Sequence, residues 1–160
     1  MHFATEPEVS VADFNKVGVL ILRGDRLLLC RKNRDTSKLI LPGGRTEAGE
    51  TDLDCLAREL REELGEVTLR NVEYVGTYED RAAFDDPTIV KTLRVALYRG
   101  NLVGTPTPAS EITEVVWFGP DSDVAELTPI FINRILPDLL SRGILPWSAR
   151  RAPGPRRGER

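Results

Sequence analysis

The 160-residue sequence predicts an α/β fold, a mixed sheet covered by at least two helices, on three observations. Short, nearly unbroken apolar runs at 17–22 and 26–30 have the length of strands buried on both faces. Two later stretches, 53–64 and 131–139, instead repeat their apolar residues at helical spacing. Gly and Pro clusters at 42–44 and 100–109 separate these patterns as turns do. With 41% hydrophobic and 29% charged residues, the chain is long enough for one well-buried core. A single domain over 1–147 is expected, followed by a basic tail at 148–160.

The elements follow in order. Residues 17–22 and 26–30 read as strands joined by a tight turn at Arg23-Gly24-Asp25. Residues 39–41 read as a third short strand, ended by Pro42-Gly43-Gly44. Thr51 can cap a helix whose apolar face is Leu53, Leu56, Ala57, Leu60 and Leu64, with Gly65 where the chain leaves it. Strand patterns return at 67–79, 90–98 and 111–118, around a polar loop at Asp85-Asp86-Pro87 and a Gly/Thr/Pro stretch at 100–109. Thr128-Pro129 opens a second helix with Phe131, Ile135 and Leu139 on one face and Gly143 after its end. Pro137 should kink or split that helix, because it removes a backbone donor and crowds the preceding turn.

Composition excludes several chemistries. The only histidine is His2, near the chain start, which removes the Ser-His-Asp triad and the histidine-paired cysteine. Cys30 and Cys55 lack paired spacing, so neither a disulfide framework nor a zinc site is indicated, and reduced thiols in a cytoplasmic protein are expected. No apolar run could span a bilayer and no leader opens the sequence, so no membrane partner is expected. The tail carries Arg150, Arg151, Arg156, Arg157 and Arg160 against Glu159, about +4, and reads as solvated and disordered, with no nucleic-acid partner expected.

The charge is concentrated elsewhere. From Gly44 to Glu66 there are eight acidic residues and three arginines, a local −5 in a chain of −3. At about 100° per residue, Glu59, Glu62 and Glu63 share one stripe beside the apolar face. Like charges at i, i+3 and i, i+4 destabilise a helix by a few tenths of a kcal/mol each, about the amount an opposite pair contributes. A hard cation would offset that repulsion, and oxygen-only ligands favour Mg²⁺ or Mn²⁺ over zinc.

The spacing is also demanding. Gly44, Glu50, Arg58-Glu59-Leu60, Glu62-Glu63 and Gly65 resemble the Nudix box, G-x5-E-x7-R-E-U-x-E-E-x-G-U, with U a bulky apolar residue. An accidental match is on the order of 10⁻⁵ for a chain of this length. One position departs: the last U is Glu66, and the apolar residue follows at Val67. The order of elements from Val17 to Gly143 also fits the family, so the resemblance implies a Nudix α/β/α sandwich with a mixed sheet and the Nudix loop and helix.

That resemblance implies a Mg²⁺- or Mn²⁺-dependent hydrolase of a diphosphate linkage in a nucleoside triphosphate, oxidised ones included, or in another nucleoside diphosphate linked to a group X. It implies Glu59, Glu62 and Glu63, with the carbonyl of Gly43, as metal-binding and proton-handling residues, Glu59 being the first choice for taking the proton from water. Arg58 is implied to hold Glu50 or the ligand carboxylates in place. Glu111, six residues before Trp117, resembles an extra metal-binding glutamate of MutT-like members, with Glu114 and Asp85 as rivals. Arg31 and Lys32 are candidate phosphate contacts. Alternatives are ADP-ribose or a diadenosine polyphosphate as substrate, or a nucleotide-binding regulator without turnover; the family's Pro or Tyr signature for the former is not evident, since Tyr78 is too early and Pro87 too late. The partner expected is a nucleotide, and the assembly a monomer or homodimer.

Overall fold

The computed structural model describes residues 11–148; His2 and the tail beyond Ser148 lie outside the described residues. Strand β1 (Phe14–Leu20) runs into β2 (Leu22–Arg23), which turns through Gly24-Asp25 into β3 (Arg26–Lys32). A two-residue β4 (Gly43–Gly44) precedes helix α1 (Asp52–Leu64). Long strands β5 (Thr68–Arg81) and β6 (Thr92–Val103), then β7 (Ile112–Phe118), lead to a π-helical turn at Phe131–Ile135 and helix α2 (Leu136–Ser141).

The strands form two sheets, a mixed one ordered β4-β1-β6-β5, in which β1 and β6 run parallel, and an antiparallel one ordered β2-β3-β7. The chain changes sheet at Ile21, whose carbonyl accepts from the Leu28 N–H at 2.9 Å. Alternation along the strands then divides the core. Val17, Val19 and Ile21 with Leu28 and Cys30 pack with Leu56, Leu60 and Leu64 of α1. Leu20, Leu27 and Leu29 pack with Phe131, Ile135 and Leu139 on the other face. Burial on both faces explains why these strands read as unbroken apolar runs.

Helix α1 begins where expected. Thr51 accepts from the Asp54 N–H while Asp54 accepts from that of Thr51, a reciprocal cap. Its buried face is rotated from the expected one, however. Leu53 is half exposed and Ala57 exposed, while Cys55 and Glu63 are buried beside Leu56, Leu60 and Leu64. Val67, not Glu66, is the buried residue after the helix.

Three further expectations change. Residues 39–41 make isolated bridges, Ile40 with Cys30 and Leu39 with Leu127, instead of a strand. Pro42 ends the segment and contributes no N–H to extend it. Strand β6 continues through Gly100 to Val103, because β5 pairs with it as far as Thr68, across two register shifts. Pro137 does not break the last helix at its own position. The preceding turn widens instead, with the Leu136 N–H bonding the Phe131 carbonyl five residues back, a looser turn than the α-helix allows.

Candidate active site

Arg58 is the hub of the box. Its Nε donates to Glu50 Oε2 at 2.6 Å and its Nη2 to Glu50 Oε1 at 3.0 Å, a forked pair. Nη1 reaches Glu59 Oε2 at 3.0 Å and both Glu62 oxygens at 3.4 Å, and Nη2 also bonds the Arg45 carbonyl at 3.1 Å. The Glu47 N–H donates to Glu50 Oε1 at 2.8 Å, so one guanidinium ties the loop before α1 to the carboxylates on it. The Arg58 fork, helped by that N–H, holds the Glu50 carboxyl down at about 2.

Glu59 and Glu63 meet the glycine turn. The Gly43 N–H donates to Glu63 Oε1 at 3.2 Å, while Gly43 itself sits at φ 142° with the Val17 carbonyl where a side chain would be. A Cβ on Gly44 would collide with the Glu59 carboxylate, so a side chain there would displace that carboxylate from the turn. Burial pushes the Glu63 carboxyl up to about 8, with repulsion from Glu59 and Glu111 adding to it. Glu59 is raised too, first by burial and then by Glu62 and Glu111, against Arg58.

These groups open onto a cavity of about 470 Å³. Glu59, Glu62, Glu63 and Glu111 line it together with Gly43 and Gly44, as do the cations Lys16, Lys32, Arg34 and Arg45. Lys16 is depressed from its usual range, chiefly by burial and then by Lys32 and Arg45. Glu111 lies just before β7, where Arg34 grips its Oε1 through Nη2 at 2.7 Å and Nε at 3.0 Å. Asp35 and Ser110, two of the three non-glycine residues with positive φ among the described residues, also line the cavity.

The structure thus brings together every carboxylate of the expected metal set, and Lys32, at one cavity. It does not bring Arg31. Successive side chains of a strand point to opposite faces, and Arg31 is spent on Glu114 and Glu126, each at 2.9 Å, and on the Ser37 carbonyl at 2.6 Å. Glu114 is thereby paired away from the cavity, and Asp85 caps Ser37 instead. Lys16, Arg34 and Arg45 went unnoticed in the sequence. A lysine alternating with Val17 and Val19 in an otherwise buried strand, and an arginine directly after Gly44, were the signals available.

The donor chemistry suits a hard divalent ion. The side-chain atoms on offer are carboxylate oxygens, held at a cost in burial and mutual repulsion that a cation would relieve. As the side chains lie, no three acidic groups among the described residues stand close enough to ligate one ion, because Arg58, Arg34 and the Gly43 N–H each hold one or more of them. Loading would therefore draw Glu59, Glu62 or Glu111 from an arginine.

A family model described as a NUDIX domain matches residues 14–139. The NAD-capped RNA hydrolase NudC of Pseudomonas aeruginosa (strain LESB58) is 32% identical over 111 residues, 65% of this chain and 35% of that protein. The chain spans about a fifth to a third of the length of the curated relatives it matches. Among solved structures, the solution structure of the E. coli ORF135 protein has a TM-score of 0.61 at 25% identity, over 84% of this chain and 94% of that one. The MutT NUDIX hydrolase from Burkholderia pseudomallei has a TM-score of 0.62 at 23% identity, over 76% of this chain and 93% of that one, a likeness of fold alone. Since the family model runs from the first strand into the last helix, and the box residues Gly44, Glu59, Glu62 and Glu63 line a single cavity, the chain belongs to the NUDIX family.

Proposed function

We propose that the protein is a divalent-metal-dependent hydrolase that cleaves a diphosphate linkage in a nucleoside triphosphate or another nucleoside diphosphate carrying a group X. The observation that carries this reading is the convergence on one cavity, around a glycine turn, of six carboxylates, three of them box glutamates, and four cations. Such a lining suits a chain of phosphates whose charge is shared between protein cations and metal.

Bound Mg²⁺ or Mn²⁺, held by Glu59, Glu62, Glu63 and Glu111 with the Gly43 carbonyl, would neutralise phosphate charge and lower the pKa of an attacking water. Lys16, Lys32, Arg34 and Arg45 would hold and orient the phosphates. Glu59 remains the first choice for taking the proton from water, its carboxylate lying against the glycine turn at the cavity wall. Arg58 fixes Glu50 and Glu59 in place without reaching the reacting atoms.

The test is a product analysis over nucleoside triphosphates, ADP-ribose, a diadenosine polyphosphate and NAD, with Mg²⁺ present and then removed by excess chelator. The likeness to NAD-capped RNA hydrolases is the reason for including NAD. Release of a nucleoside monophosphate that stops on chelation is the expected result. Hydrolysis undiminished by chelator would sink the metal-dependent reading, and tight binding without turnover would favour a regulator.

A further inference from the structure

Two charged residues that the sequence offers to the site turn away from the cavity, and both end on Ser37. Arg31 Nη1 donates to the Ser37 carbonyl at 2.6 Å, while Asp85 Oδ1 accepts from the Ser37 N–H at 3.0 Å and from its hydroxyl at 3.1 Å. The Asp85 N–H adds a bond to the Asp35 carbonyl at 2.7 Å. Residues 33–37 are therefore braced from β3 on one side and from the loop between β5 and β6 on the other. The Asn33 N–H closes a third side on the Glu111 carbonyl at 3.0 Å. This braced segment carries Arg34 and Asp35 into the cavity lining. Asp35, directly after Arg34, sits at φ 69°, and Ser110, directly before Glu111, the partner of Arg34, sits at φ 57°. Non-glycine backbone persists there where its surroundings over-determine it, a condition met at ligand clamps.

We infer that Asp85 is a positioning residue, which by pinning Ser37 fixes the segment that presents Arg34 to the phosphates of the substrate. The inference rests on the phosphate-handling reading above and deepens it. Arg34 and Ser37 are exposed, so without the brace the backbone under Arg34 would have to be ordered at every binding event. A segment held in place beforehand avoids that cost, and the gain is seen as affinity. Arg34, once released by Glu111, then has only its side chain to turn toward phosphate. Asp85 acts here as a hydrogen-bond acceptor for Ser37, a role that an amide oxygen also fills.

The experiment compares the protein with Asp85→Ala, which removes the acceptor, with Asp85→Asn, which keeps an oxygen for Ser37 without the charge, and with Arg34→Ala alone and combined with Asp85→Ala. Binding of inorganic tripolyphosphate in the presence of Mg²⁺ is measured by calorimetry, and steady-state kinetics on the nucleotide that the product analysis finds cleaved fastest. Asp85→Ala should raise the tripolyphosphate Kd and the nucleotide KM by roughly fivefold, the scale of one lost hydrogen bond, with kcat within about twofold. Asp85→Asn should restore both. In the Arg34→Ala background Asp85→Ala should add nothing, because a residue that acts through another has no effect once the other is gone. Tm should barely move, since the bonds lost are exposed and the Asp85 N–H still holds Asp35, while amide exchange at residues 34–37 should quicken.

Unchanged tripolyphosphate binding in Asp85→Ala, full additivity with Arg34→Ala, or a loss in Asp85→Asn as large as in Asp85→Ala would each overturn the inference, the last by giving Asp85 a role that needs its charge. So would a failure of tripolyphosphate to bind the unmodified protein. If no nucleotide is cleaved yet tripolyphosphate binds in an Asp85-dependent way, the hydrolase reading falls and this one stands. If cleavage proceeds with an unchanged KM in Asp85→Ala, the hydrolase reading stands and this one falls.

Discussion

At Glu63 the side chain sits inside the buried face of α1, yet it is one of the most acidic-looking positions in the sequence. Glu63→Gln should keep the fold, because the amide oxygen can still accept from the Gly43 N–H and no charge is left buried. Turnover should nevertheless fall by at least ~10²-fold, the scale of a lost catalytic group. Near-normal turnover at an unchanged Tm would make the residue structural. Glu50 titrates the opposite way. Its carboxyl is held at about 2 against an ordinary 4.5, so the folded state favours its charged form. The stability it contributes is fully present above about 4.5 and is lost as pH falls through about 2. The Tm deficit of Glu50→Gln should therefore shrink as pH is lowered through that window, whereas a deficit constant at every pH would mean the Arg58 fork is not its source. Both glutamates were legible from spacing alone, since the box fixes which positions carry carboxylates. The burial of Glu63 was not, because the hydrophobic pattern placed the apolar stripe through Leu53 and Ala57, and the strands cover a face rotated toward the acids.

Helix α1 and the loop before it act as one element because Arg58 spans them. Its planar fork serves Glu50 while the remaining nitrogen serves Glu59 and Glu62, an arrangement that a lysine ammonium cannot reproduce. Arg58→Lys should leave the helix folded, as its cap at Thr51 and its leucine face are untouched. Activity should drop by roughly 10–100-fold, the effect expected of an outer residue that orients metal-binding side chains. The metal concentration for half-maximal activity should rise with it, and full activity in the variant would separate the fork from function. Elements with strong local signals were readable: the cap, the hairpin turn and the long strands all lie close to their expected places. Those set by tertiary partners were not. Residues 39–41 have strand composition but find only single bridges, with Cys30 and Leu127.

On the scale of the whole molecule, the cavity exists because elements distant in the chain meet at one end of the mixed sheet. Phe14 and Lys16 come from β1, the glutamates from α1, Glu111 from the turn before β7, and Phe131 from the last helix. Sequence spacing could not show that Arg34 would face Glu111 or that Arg31 would turn away, since both depend on the β3–β7 pairing. The consequence is testable through metal binding. A ligand that binds only the folded state raises Tm with concentration, by an amount equivalent to about 2.7 kcal/mol at a hundred times its Kd. If Glu111 joins the carboxylates of α1 on one ion, Glu111→Gln should shift the Mg²⁺ dependence of Tm, and that of activity, to higher concentration. Metal-free Tm should barely move, because its partner Arg34 is 62% exposed and exposed ion pairs contribute little. Arg34→Ala separates the two sides of that pair: it frees Glu111 and removes a cation from the cavity, so it should leave the Mg²⁺ midpoint of Tm unchanged or lower while raising KM for nucleotide. A Mg²⁺ midpoint in Glu111→Gln equal to that of the unmodified protein would take Glu111 out of the metal site and leave its ion pair with Arg34 as its whole role.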